Sequence, residues 1–275
     1  MDTQQSVFPD FKMATHMPFF NGTTLAFCWA GEPVEKAFPN HGLIWKAVRR
    51  NPALAKQFQS VPKTQVIRYR AWKLAWCDWA SKTIRPIDTG FSSETIECSP
   101  AFYWEGGQVH LSFVAGIPQA EGMSYRLYQA SGPGLDRLGK VTPLPIPSTS
   151  VGFLSPQHLC RGEGTKLHLV EKASGVLSTL QTGFGRIARA TFVADDPSKL
   201  LITGIIEGGR HLTVLHELGS GATQVVMVDG DVYKSTLYRD QLVFTQKLEG
   251  FLESRELRTG NYTLASSPIV ISKGS

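Results

Sequence analysis

Residues 100–115, PAFYWEGGQVHLSFVA, read as an alternating strand, a turn at Gly106-Gly107 and a second alternating strand. Aromatic and β-branched residues suit a pleated, half-buried surface, and a glycine pair supplies the positive φ that a two-residue hairpin needs. Five other stretches show a related pattern: MPFFNGTTLAFCW from Met17, TQVIRYRAWKLAWCDW from Thr64, PQHLCRGEGTKLHLVE from Pro156, ATFVADDPSKLLITGI from Ala190 and STLYRDQLVFTQKL from Ser235. Their centres lie roughly 44 residues apart, the length of one four-stranded propeller blade. A small sheet cannot bury both of its faces alone, so such units stack around an axis. The expected fold is therefore all-β, a six-bladed β-propeller of four-stranded antiparallel blades in a single domain over 1–275. The blades are placed near 13–62, 63–97, 98–150, 151–188, 189–232 and 233–275.

Third strands are expected to stop at Gly90, Gly132, Gly183, Gly221 and Gly260. Pro52 argues for a strand to Arg49 and against a helix over 43–58. The apolar segment Pro268 to Lys273 has no hairpin partner downstream. Pairing it with the start of the first unit, so that the N- and C-terminal strands close the ring, would remove an exposed edge.

Composition narrows the class. A hydrophobic content of 42% with 26 glycines and 16 prolines in 275 residues suits short strands joined by turns. Apolar runs such as KLLITGII fall far short of the ~20 residues that cross a bilayer, so membrane insertion is not expected. The N-terminal residues MDTQQSVFPDFKM lack an apolar signal core, which points to synthesis in a cytoplasm, with incorporation into a virion as one destination. The four cysteines Cys28, Cys77, Cys98 and Cys160 lack CxxC spacing and read as buried thiols, not as a zinc site or a disulfide framework. No metal or other cofactor is expected. The net charge of +5 is dispersed, which disfavours nucleic acid as a partner.

Loops that enter the innermost strands form one mouth of a propeller. Here they carry His16, Lys63, Glu97, Ser99, Ser155, Gln157, His158, Arg186, Arg189, Asp231 and Lys234. Lys63, Arg186, Arg189 and Lys234 make the mouth mainly basic, a setting that attracts anions. Glu97 and Asp231 are the candidate catalytic carboxylates, because glycoside hydrolysis needs two such groups facing one another. Trp79 and Trp104, near turns, are candidate stacking residues for a glycan ligand. His110, His168, His211 and His216 share no metal-ligand spacing, and no nucleophile elbow, P-loop or zinc-protease motif occurs.

The segments DPSKLLITGIIEGGRHLTVLHELGSG and RDQLVFTQKLEGFLESRELRTG resemble blades of TolB-like propellers. PAFYWEGGQVHLSF is similar, more generically, to blade openings in glycosidase and sialidase propellers, although the Ser-x-Asp-x-Gly-x-x-Trp turns of sialidases are missing. The TolB-like resemblance implies a protein-binding module. The expected function is thus a non-enzymatic propeller that contacts protein partners, as a structural part of a larger assembly such as a virus particle. A carbohydrate-binding or glycoside-hydrolase-like propeller is the alternative.

Overall fold

In the computed structural model, residues 5–8, 14–39, 52, 64–119, 122–146, 149–228, 234–247 and 255–274 are described. They form five antiparallel sheets around one axis. Strand β1 is Gln5–Ser6. The first blade contains β2 (Thr15–Phe20), β3 (Thr24–Pro39), β4 (Thr64–Asp78) and β5 (Ile84–Pro86). The second contains β6 (Ile96–Glu105), β7 (Gln108–Gln119), β8 (Gly122–Gly132) and β9 (Thr142–Pro143). The third contains β10 (Gly152–Leu154), β11 (His158–Glu163), β12 (Lys166–Glu171) and β13 (Leu177–Gln181). The fourth contains β14 (Arg186–Val193), β15 (Asp196–Ile205), β16 (His211–Glu217) and β17 (Thr223–Met227). The fifth contains β18 (Lys234–Tyr238), β19 (Gln241–Lys247) and β20 (Arg255–Gly260), with β1 as its outer strand. Strands β2, β6, β10, β14 and β18 are innermost and touch one another in ring order.

The propeller has five blades, not six. The stretch from Thr64, expected to open a second blade, is a single uninterrupted strand. It pairs with β3 from Thr24↔Asp78 to Pro39↔Thr64, with one irregularity between Ala30 and Pro33. TQVIRYRAWKLAWCDW contains no Gly or Asn, and its one Asp, Asp78, stands at the end of β4 and not where a hairpin would have to reverse, while the 24 residues between the two strands mimic a blade-length interval. The proposed blades 13–62 and 63–97 are therefore one sheet. The candidate strand over 43–49 lies outside the described residues.

The other five quoted stretches are hairpins. Between β6 and β7, Glu105 pairs with Gln108 and both Gly106 and Gly107 have positive φ, the geometry of a tight twisted turn. In the third blade the quoted hairpin is β11–β12, because the innermost strand there is the short β10.

Ring closure also departs from the expectation. Gln5 pairs with Thr259 and Ser6 with Arg258, so the N-terminal strand completes the last blade. With that edge filled, the chain beyond Gly260 runs back over the outer edges of the neighbouring blades. Strand β21 (Thr263–Ser266) pairs with β17, and β22 (Ser272–Lys273), in the segment expected to meet the first unit, pairs with β13.

The axis is filled by aromatic rings. Phe19, Phe102, Phe153 and Phe192, one from each of the first four inner strands, are fully buried. The Phe19 ring lies 5.1 Å from Phe102 and 4.9 Å from Phe192, and Phe153 lies 5.7 Å from Phe192. A phenylalanine buried in this way contributes roughly 1.5–3 kcal/mol relative to exposure.

Candidate functional site at the head of the axis

Antiparallel strands place alternate turns on alternate faces. The starts of all five inner strands therefore share one face with the β3–β4 and β7–β8 connections. Just inside this face, above the phenylalanines, the inner strands become irregular. β2 shifts register between His16 and Phe19, β6 between Cys98 and Ala101, and β14 between Ile187 and Arg189. Met17 and Ser99 sit at φ 54° and 53°, uncommon for residues with side chains. Bulges of this kind re-aim side chains. Here they gather His16, Met17, Cys98, Ser99, Arg189 and Lys234, all buried, into one level.

Hydrogen bonds across this level join the blades. Ser99 donates its backbone N–H to the Met17 sulfur (3.1 Å), and Met17 donates its own to Thr245 Oγ1 (3.3 Å). Arg189 Nη2 donates to the Pro18 carbonyl (2.5 Å). The Arg189 and Lys234 charges both act on the Cys28 and Cys98 thiols, favouring their ionised form against the burial that opposes it. Burial lowers the guanidinium pKa to about 10 and raises the Cys98 thiol to about 11. His16 packs edge-on against Trp72, ring centroids 3.9 Å apart. All four cysteines are free and buried.

Glu97 is 1% exposed and paired with Lys73 Nζ at 2.5 Å. Lys73 also donates to the Ser92 carbonyl (2.6 Å). Burial raises the Glu97 carboxyl pKa more than its ammonium partner lowers it. Asp231 and Lys63 lie outside the described residues. Among the described residues no group of three potential metal ligands forms, and no helix is long and apolar enough to cross a membrane.

The expected binding residues divide between the two faces. Arg189 and Lys234 share the buried axial level, and Arg186 is exposed at the start of β14. Trp79 and Trp104 are at the opposite face, where Trp104 is 51% exposed beside the Gly106-Gly107 turn and the Lys82 ammonium covers Trp79. Ser155, Gln157 and His158 also belong to that opposite face. The Ser155 hydroxyl accepts from His158 N (2.9 Å) and Gln157 N (3.3 Å), closing a turn between β10 and β11. The participation of Cys28, Met17 and Cys98 in the axial level had no local signal, since it arises from bulges in separate strands. For Arg189 the signal is a second cation inside the strand RIARATFV, where Arg186 stands at the exposed start and Arg189 among residues that are mostly buried.

The sequence matches no family model and no curated protein. Solved structures give distant likenesses. TolB from Acinetobacter baumannii aligns at 13% identity with a TM-score of 0.47, over 74% of this chain and 51% of its own, so the chain spans about half of that protein's length. The arb93a α-L-arabinofuranosidase from Fusarium graminearum aligns at 10% identity and TM-score 0.38, over 91% and 93% of the two chains. The β-propeller domain of the Trilobed protease from Pyrococcus furiosus aligns at 11% identity and TM-score 0.37, over 93% and 96%.

Proposed function

We propose that this propeller is a non-catalytic interaction module that binds protein partners in a larger complex through the face bearing the β3–β4 and β7–β8 hairpins. The observation that carries this reading is the ribbon formed by the far halves of β3 and β4. Pairing of β2 with β3 ends at Thr15↔Trp29, and β5 pairs only with Ala75–Cys77, yet β3 and β4 remain paired to Pro39↔Thr64. A two-stranded ribbon is marginal by itself. This one is tied to the segment before β6 by Lys36–Glu94 (2.6 Å) and by Tyr69 donating to the Glu94 carbonyl (2.8 Å), and Arg68–Glu35 (2.8 Å) spans its own two strands, while Val66 stays 47% exposed. On the same face the shorter β7–β8 ribbon displays Ile117, 42% exposed. The phenylalanine-filled axis and the Lys73-bound Glu97 both speak for contact surfaces over a hydrolytic cleft.

The test is isolation of the native protein with its complex, followed by Val66→Asp and Ile117→Asp. Each variant should keep the wild-type Tm and far-UV spectrum while losing co-elution with the partner. Hydrolysis of an aryl-glycoside panel that disappears in Glu97→Gln would overturn the proposal in favour of a glycosidase-like activity.

A further inference from the structure

Arg189 is a fully buried cation whose Nε and Nη1 hydrogen-bond to nothing among the described residues. Among the described residues its side chain makes one hydrogen bond, from Nη2 to the Pro18 carbonyl, which leaves one edge of the planar fork unused. No carboxylate among the described residues reaches it. Glu97, a buried acid on the inner strand β6, is engaged by Lys73. A second buried cation, Lys234, is close enough for its charge to act on the same two thiols as Arg189. A guanidinium without a counter-charge in a low-dielectric setting is strongly disfavoured, and a fork of parallel N–H donors matches an oxyanion. The three bulged strands and the left-handed Met17 and Ser99 surround this level, a local irregularity that a simple apolar plug would not require.

We propose that the head of the axis is an oxyanion-binding site, in which Arg189, with Lys234 beside it, receives a carboxylate or a phosphate. The site is distinct from the ribbon surface assigned to protein contact. The oxyanion is either a free ion or the acidic side chain of a bound peptide, and the open edge of the Arg189 fork, the second Nη2 N–H with the Nε or Nη1 N–H parallel to it, recognises the oxygen pair that both present.

The experiment follows Tm at fixed ionic strength while chloride is replaced by inorganic phosphate, by acetate, or by a short acetylated, amidated peptide containing one glutamate. Wild type should show a saturable rise of about 5 °C or more once the favoured anion exceeds its Kd about a hundredfold. A response to phosphate or acetate marks a free ion, and a response to the peptide alone marks an acidic side chain. Arg189→Met should fold, keep or raise the wild-type Tm in chloride, and lose the response. Should that variant fail to fold, phosphate line broadening in ³¹P spectra of wild type and of Lys234→Met gives an independent reading, with broadening in wild type reduced in the variant. The inference is overturned if wild type shows no saturable response, or if Arg189→Met keeps it. It is equally overturned if Asp229→Asn or Asp231→Asn creates a response that wild type lacks, because the counter-charge is then the chain's own.

Discussion

At the scale of single residues, the Lys73–Glu97 pair shows how burial reverses the usual worth of an ion pair. Removing the cation leaves a carboxylate in the interior, so Lys73→Met should cost about 3–5 kcal/mol in chemical denaturation. A loss below ~1 kcal/mol would mean that solvent reaches Glu97. The pH dependence has a definite sign. The folded carboxyl keeps its proton at a pH where the unfolded chain has released it, so its stabilising contribution is present below the ordinary value of 4.5 and is lost as pH rises through the raised one. Glu97→Gln should therefore flatten the change of Tm as pH rises above 4.5. Gly22 is constrained differently. It has φ 93°, and a Cβ there would meet the Tyr238 ring of the fifth blade at 2.4 Å. Gly22→Ala should destabilise by about 1–3 kcal/mol, measured by urea denaturation, because backbone strain and overlap act together. The strand histidines illustrate what local sequence hides. His110, His168 and His216 look scattered, yet each stands directly opposite a hydroxyl, Ser131, Thr179 and Thr223, and bonds to it through Nδ1 at 2.8, 3.1 and 2.9 Å. Register creates the pairs, and register is not visible along one strand.

At the scale of elements, hairpins were legible where turn chemistry marked them. Asn21-Gly22, Gly106-Gly107, Gly164 and Arg239-Asp240 each reverse the chain between alternating strands. At the Thr64 stretch the spacing imitates a blade, but no turn residue interrupts the run before Asp78, so β4 continues the first blade and the count is five. The destination of the C-terminal segment was also hidden, since an edge strand pairs through its backbone and its sequence need not name its partner. Ile271 is buried, Ile269 packs on the core, and the Gly274 N–H donates to the Thr179 carbonyl (2.7 Å). Truncation after Ser266 should expose the edge of β13, lower the Tm by several degrees and produce concentration-dependent association in light scattering. An unchanged Tm with a monomeric profile would show that this strap contributes nothing. The strap also bears on His216, whose ring burial and the Lys273 charge hold below 6.5. That contribution is complete above pH 6.5 and is lost as pH falls through the lowered value, so His216→Asn should reduce the acid sensitivity of the Tm.

At the scale of the whole molecule, the ring is held at its centre and at its seam. Phe19 touches rings from the second and fourth blades, so Phe19→Ala should cost about 3–5 kcal/mol and should lower the melting temperature of the entire propeller as one transition. Separate transitions would mean that the blades unfold independently. The propeller class was legible because repetition is written along the chain, whereas the axial level was not. Its members come from β2, β3, β6, β14 and β18, and their meeting depends on bulges that place each side chain inward. Arg189 and Lys234 could be assigned to one mouth, but their burial beside two thiols could not be foreseen.

The seam also orders events in time. During synthesis Gln5 and Ser6 emerge before any of the five sheets exists, yet their partners Thr259 and Arg258 emerge after nearly all the rest of the chain. Strand β1 must wait, unpaired, for the fifth blade, and the segment after Gly260 then passes back across two blades that precede it in the chain. Ring closure is consequently a late step of high contact order, expected to be slow beside the local hairpins.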